Sequence, residues 1–434
     1  MKGRASMVVS RQPCGAAFVL LAGAGVAAAG EPRIAGSWAV PPAGLSAGVV
    51  LGGLSDLALA GGDGGLLLWS VTDRGPNGKA KVDGKKVRTL LAPDFAPALV
   101  RMRLDGQGGR AVVEEIVPLC GVDGTPLSGR PPGTDRLVAG AGLRPVADDP
   151  LGVDPEAVVA GADDTWWIAE EYRPALLHVG RDGRVRNRFV PRGTAASGDR
   201  DVLPAVYARR RENRGFEAIA MRPDGRRLWV LLQSPLDAPG RAAGKRTGNV
   251  RLLAFDPVAG EPVAEHVYRL GDPSSPEFLT RGAPPDDGKL CAMAALGATA
   301  LLVLEQDDDG LARLYLAEVA SATDTLGRDS FDGRALEQVA DLRAAGVEPV
   351  RKTLVADLRG LRKSMQGEVD GGQAGDGALK IEGLAVVDAR HVAFVNDNDF
   401  GVPQGAAGAA GRRTRVWLVE LPEPLPVTTD SRAD

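Results

Sequence analysis

Five stretches of this sequence carry a polar side chain at the start of one short apolar segment and again at the end of the next. Asp56 is followed by Asp73, Glu156 by Glu170 and Glu171, Glu217 by Gln233, and Glu382 by Asn396-Asp397-Asn398-Asp399. Cys291 and Glu305 keep the spacing with a thiol at the first position. In an antiparallel hairpin, the start of the first strand and the end of the second lie at the same end. If these hairpins line a common axis, their carboxylates and amides converge on one mouth. Converging carboxylates repel each other unless some are protonated or a cation sits among them. Carboxylate and amide oxygens without a His or Cys cluster form a donor set for a hard ion, calcium first, with Mg2+ or Mn2+ as alternatives. The expected ligands are Glu156, Glu217, Glu382 and Asp397, then Asp73, Glu171 and Asp399. On an extended strand, Asp397 and Asp399 point one way and Asn396 and Asn398 the other. Asn and Asp are also ordinary turn residues; the repetition in register is what favours an ion site.

Three cations accompany these ends. Arg74 follows Asp73, while Arg214 and Lys380 precede the strands opened by Glu217 and Glu382. Arg and Lys beside a metal ion suit a phosphate, so Arg74, Arg214 and Lys380 are the candidate catalytic residues. Simple charge balance against the acidic ends is the competing explanation.

The elements that must position these groups are short strands. Each copy pairs a small apolar strand with a stronger one, as in Glu217-Ala218-Ile219-Ala220 followed by Leu228–Leu232. Further strands follow, such as Leu176–Val179 with Val185–Val190 and Arg251–Phe255 with Val263–Leu270. Four antiparallel strands per repeat is the pattern of a propeller blade. The expected fold is all-β, a β-propeller with loop insertions. Five blades are visible; six or seven are favoured, because residues 110–150 or 335–365 could hold another. The segment Arg33–Val40 is expected to pair with Thr414–Leu421 and close the ring, removing exposed edges. Composition agrees: Gly (57) and Pro (31) are about a fifth of the 434 residues, which opposes long helices. An apolar content of 44% excludes disorder.

Residues 1–29 read as a signal peptide: Lys2, Arg4 and Arg11, then an apolar run from Ala16 to Ala29 ending in an A-x-A site. The domain is then 30–421, with a flexible tail at 422–434 and a periplasmic or secreted location. No later stretch could span a bilayer. Loss of three positive charges takes the formal charge from −4 to −7, and a mildly acidic chain without basic runs is a poor nucleic-acid binder. A monomer is expected. Cys120 and Cys291 could pair after export or remain thiols. Gly44-Leu45-Ser46-Ala47-Gly48 matches a nucleophile elbow, but Pro41-Pro42 before it and glycine after it deny it the strand and helix it needs. His178, His266 and His391 fall away from the proposed mouth, so a Ser-His-Asp triad is poorly supported.

Taken together, Asp73-Arg74-Gly75, Asp154-Pro155-Glu156-Ala157, Glu170-Glu171-Tyr172, Asn213-Arg214-Gly215-Phe216-Glu217-Ala218, Leu232-Gln233-Ser234-Pro235-Leu236, Lys380-Ile381-Glu382-Gly383-Leu384-Ala385 and Asn396-Asp397-Asn398-Asp399-Phe400-Gly401 resemble the esterase-like activity of phytase family over about residues 40–421. Ala157 and Ala218 stand where that family more often has Gly. The resemblance implies an exported bacterial propeller with phosphatase, phytase or phosphodiesterase-like activity that depends on calcium. The expected function is therefore hydrolysis of a small phosphorylated substrate by water held at a Ca2+ ion in the channel mouth. A lactonase or carboxylesterase of gluconolactonase type, or a non-enzymatic binding propeller, are the alternatives.

Overall fold

Alternating apolar residues build strands that are buried on both faces, and such sheets need neighbours on both sides. Thr165–Glu170, for example, is buried at every position. In the computed structural model, which describes residues 30–427 apart from 61–64, 83, 107, 134–136, 140–143, 163, 272–287, 371–378 and 403–411, these sheets form five blades. The expected signal peptide and the end of the tail lie outside the described residues.

Blade 1 runs outward through Leu54–Ala60, Leu66–Thr72, Ala98–Leu104 and Val112–Pro118. Blade 2 comprises Pro155–Ala160, Thr165–Glu170, Ala175–Gly180 and Val185–Pro191, with a short parallel edge strand Arg200–Leu203. Blade 3 comprises Phe216–Met221, Leu228–Leu232, Asn249–Asp256 and Glu261–Arg269. Lys289–Ala295, Ala300–Gln306, Ala312–Glu318 and Arg351–Asp357 make blade 4. Blade 5 takes Lys380–Val386, His391–Asp397 and Arg415–Glu420 from the end of the chain and Arg33–Ala39 from its beginning. The pairing of Arg33 with Glu420 through Ala39 with Arg415 is antiparallel and closes the ring as expected. The first strand of each blade touches the first strand of the next, and that of blade 5 touches that of blade 1.

The expectation of six or seven blades is corrected to five. The two intervals that could have held another blade serve existing ones. Residues 110–150 supply the outer strand Val112–Pro118, and 335–365 supply the outer strand Arg351–Asp357 followed by the helix Arg359–Val369. That helix was not expected from the sequence; it buries Arg362, Met365 and Val369 along one face. A hairpin, Asn77–Val82 with Lys85–Leu90, is also inserted between the second and third strands of blade 1. Short helical turns also occur at Ala205–Arg209 and Leu336–Gln338.

The core lies between blades. Trp69 of blade 1 meets Trp166 of blade 2 with ring centroids 4.7 Å apart. Trp167 packs on Phe189 of its own blade and on Phe255 of blade 3. Blades 4 and 5 are joined through Leu304, Leu314, Phe394 and Trp417. Burying each such large side chain contributes roughly 1.5–3 kcal/mol. Pro422–Val427, expected as a frayed tail, instead runs along blade 5: the Leu425 N–H donates to the Ala389 carbonyl, and its side chain joins the core cluster. Among the described residues, no helix is long and apolar enough to cross a membrane. Cys120 and Cys291 are both free thiols.

Candidate metal centre

The site is built by a fault repeated in every innermost strand. Strand pairing slips between Pro155 and Ala157, Phe216 and Ala218, Leu290 and Ala292, and Ile381 and Gly383. In blade 1 it slips between Ser55 and Ala58. The residues squeezed out of register include Asp56, Glu156, Glu217, Cys291 and Glu382, the same residues that open the sequence repeats. A β-bulge re-aims a side chain that regular alternation would pack into a sheet face. Close packing at the seams needs small residues. A Cβ on Gly383 would lie 2.6 Å from the Asp56 carbonyl carbon, and one on Gly215 would lie 2.1 Å from the Glu171 carbonyl oxygen.

Glu156, Glu217 and Glu382, from three different blades, each offer an oxygen within 4.8 Å of the others. Glu156 accepts a hydrogen bond from Ser55 Oγ at 3.1 Å. Glu217 Oε1 accepts one from Gln233 Nε2 at 2.5 Å, while its buried Oε2 has no partner. Burial pushes both carboxyls well above the usual range. Asp154 and Glu217 add to the effect on Glu156, and Glu382 adds to that on Glu217. The Cys291 thiol is pushed up by burial, then by Glu382 and Glu217, and stays protonated. All three potential donors are therefore oxygens.

A second trio, Asp154, Glu156 and Glu171, shares Glu156 with the first. This one already holds a cation. Arg74 Nη2 lies 2.5 Å from Asp154, 3.0 Å from Glu171 and 3.7 Å from Glu156. Its guanidinium lies over the Tyr172 ring, 5.3 Å from the centroid. Burial raises Asp154 well above its usual range. Burial also acts upward on Glu171, but Arg74 and Arg210 together hold it below the ordinary value.

The remaining expected ligands fall outside both trios. Lys380 Nζ donates to Asp397 at 3.0 Å and to Asp399 at 2.6 Å. Asp397 is pushed up to about 7 by burial, against the pull of Lys380 and with the push of Asp399. Asp73 accepts from the Gly75 N–H, and burial, then Asp397 and Asp154, raise it well above its usual range. The strand ends at Asp397 and Asp399 begins a short helical turn, so alternation does not extend to Asp399 as expected, yet Asn396 and Asn398 bond the carbonyls of Arg413 and Arg412 while Asp397 and Asp399 share Lys380. Glu170 ends its strand and accepts the N–H groups of Asp154, Tyr172 and Arg173. Glu305 turns toward Tyr268 and Lys352, so Gln306 takes its place at the blade 4–5 seam and bonds Ile381. Asp56 accepts N–H groups from Leu57, Val158 and Leu384 and so ties blades 1, 2 and 5 together.

Around these acids stands a rim of cations. Arg214 donates to the Gly288 carbonyl, and Lys289 pairs with Asp308 at 2.8 Å. Lys79 and Arg88, both on the inserted hairpin, were missed from the sequence, as was Lys289. Desolvation, then Arg88 and Lys380, lower the Lys79 ammonium. Arg88 reaches Asn77 and Asn213. Asp154 was also missed as a site residue, although the Asp-x-Glu spacing puts it two residues before Glu156, on the same side of an extended chain.

The discounted motifs stay structural. Ser46 Oγ bonds the backbone of Ala96, His178 stacks on Trp167, His266 meets the Thr323 carbonyl and His391 meets Asp388. With this geometry in view, the comparisons add lineage. A family model for the esterase-like activity of phytase matches residues 49–400. The chain belongs to this phytase-like family. A curated Arthroderma benhamiae protein described as an uncharacterized secreted protein is 24% identical over 237 residues, 46% of each chain. The phytase-like chain thus matches that relative over about half its length. Among solved structures, a luciferin-regenerating enzyme is similar at 10% identity and a TM-score of 0.35, covering 89% of this chain and 99% of the other. A PQQ-bound aldose sugar dehydrogenase from Streptomyces coelicolor gives 12% identity and 0.33, covering 90% and 99%.

Proposed function

We propose that this phytase-like propeller is an exported, metal-dependent phosphoester hydrolase whose ion, Ca2+ by preference, is held by Glu156, Glu217 and Glu382. The observation that carries the reading is the first trio: three carboxylates from three blades, within 4.8 Å of one another, with a buried, partnerless Glu217 Oε2. No cation of the chain is in ion-pair contact with Glu217 or Glu382 among the described residues, whereas the neighbouring trio has Arg74. The donor set is hard and anionic, which suits Ca2+ over a soft metal.

A divalent ion bound there would supply Lewis-acid polarisation of a phosphoryl oxygen and a more acidic water. The chain's own residues supply the rest. Lys79, Arg88, Lys289, Arg214 and Lys380 form a cationic rim that would draw in and orient a phosphorylated substrate. Asp397, with a carboxyl near 7 and held on Lys380, is suited to carry a proton at neutral pH. Arg74 keeps Asp154 and Glu171 in place. The secreted description of the Arthroderma relative and the apolar N-terminal segment support export.

The test is turnover of p-nitrophenyl phosphate, bis-p-nitrophenyl phosphate and a lactone, with and without chelator, by the parent and by Glu382→Gln. Phosphoester hydrolysis that is lost on chelation and in the variant is expected. Lactone turnover alone would shift the reading to an esterase, and no turnover with calcium binding intact would leave a binding propeller.

A further inference from the structure

Two carboxylate trios share Glu156, yet they differ in one respect: in the first only the shared Glu156 meets a cation, Arg74 at 3.7 Å, and Glu217 and Glu382 have none in ion-pair contact among the described residues, while the second is filled by Arg74. The guanidinium is held through Nη2, and the backbone at Arg74 is fixed as well. The Arg74 N–H donates to Asp154 Oδ1 at 3.0 Å. The chain at Arg74 packs so closely on Gly129 that a Cβ there would lie 1.7 Å from the Arg74 carbonyl oxygen. Tyr172 faces the guanidinium and anchors itself by donating its hydroxyl to the Gly129 carbonyl at 2.7 Å. Arg74 is 5% exposed, Asp154 0% and Glu171 1%. Glu171 Oε1 is buried without a hydrogen-bond partner, so this pocket keeps an unused oxygen even with the arginine in place.

Resting on the proposed ion at the first trio, we propose that Arg74 is an internal substitute for a second divalent ion: its guanidinium occupies a latent cation position formed by Asp154, Glu156 and Glu171. Two divalent ions sharing Glu156 would be held apart by their mutual repulsion, while a guanidinium carries half the charge and is fixed by covalent attachment. An arginine is also always protonated, so the second position stays filled at any calcium concentration. The channel is thereby committed to one exchangeable ion next to one permanent charge. A chain with a small neutral residue at position 74 should bind one ion more than the parent.

The experiment counts ions on the full-length protein by calorimetric titration with CaCl2 alone, checked by elemental analysis after desalting. The parent is expected to bind one ion that is lost or weakened at least tenfold in Glu217→Gln. Arg74→Ala is expected to bind one ion more than the parent, and adding Glu171→Gln to Arg74→Ala should remove only that extra ion. Arg74→Lys, which keeps the charge, should match the parent count. Glu171→Gln in the parent background should also leave the count unchanged, and this measurement decides the matter if Arg74→Ala does not fold. The same count in Arg74→Ala as in the parent, or loss of an ion on Glu171→Gln in the parent background, overturns the substitution by Arg74 and leaves the first trio standing. A parent that binds no calcium overturns both.

Discussion

Replacing Glu217 by Gln should move stability in opposite directions with and without metal. The substitution keeps size and the contact with Gln233 but removes one of three negative charges gathered within 4.8 Å. At an effective dielectric of about 20, two unit charges at that distance repel by roughly 3–4 kcal/mol. Protonation relieves part of this, because burial and Glu382 already raise the Glu217 carboxyl. A net relief of ~3 kcal/mol in metal-free protein at pH 8 is a reasonable scale, and it should fade toward pH 5 as the carboxyls protonate. A specific unfolding entropy of ~2 cal/mol/K per residue gives about 0.8 kcal/mol/K for a chain of this size, so the metal-free melting temperature should rise by about 4 °C. With calcium the order reverses, because the variant has lost a charged ligand and with it most of the stabilisation that ligand binding confers. Differential scanning calorimetry in EDTA and in millimolar CaCl2 measures both arms. A variant that melts lower than the parent in EDTA, yet shows the parent's full calcium shift, would refute the convergence of charges and their role as ligands.

The metal-free protein should lose stability as pH rises from about 4 to about 7. Asp397 has a folded value near 7, above the unfolded range, so its contribution is complete at low pH and disappears as pH passes through the folded value; chemical denaturation across that range in EDTA should show it, and calcium should flatten the slope. Gly383→Ala would place a methyl 2.6 Å from the Asp56 backbone and 2.5 Å from Val395 Cγ1, so it should destabilise by roughly 1–3 kcal/mol, read as a lower urea midpoint with the denaturant slope unchanged. Lys380→Met removes the ammonium that bonds Asp397 and Asp399. It should raise KM for a phosphoester more than it lowers kcat if the rim binds substrate, and, by releasing Asp397 from the pull of the ammonium, should move the basic limb of the pH–rate profile upward. Of the two cysteines that follow the expected signal peptide, buried Cys291 should resist alkylation in the native state, while partly exposed Cys120 reacts; mass spectrometry of briefly labelled protein resolves the two.

Much of the fold was legible because its signals are local. Paired apolar strands, a high Gly and Pro content and a repeated polar opening are local signals, and they sufficed for an all-β propeller, its inner hairpins and the closing pair Arg33–Ala39 with Arg415–Glu420. Closely spaced polar residues of like type also marked Glu156, Glu217 and Glu382, because the bulge that aims each of them coincides with the start of the repeat. The blade count was not legible. Whether a stretch such as 335–365 becomes a new blade or the outer strand Arg351–Asp357 plus a helix depends on when the ring closes, which is a property of all the sheets together. Nor could the chain order show that Glu171 faces the channel while Glu170 serves a turn, or that Gln306 rather than Glu305 takes the seam, since one residue of register reverses every side chain. Only the packing of blade 1 on blade 2 brought Arg74, 80 residues earlier in the chain, into contact with Asp154. The local code names the acids; the closed ring decides which of them gather with one another and which are paired with an arginine.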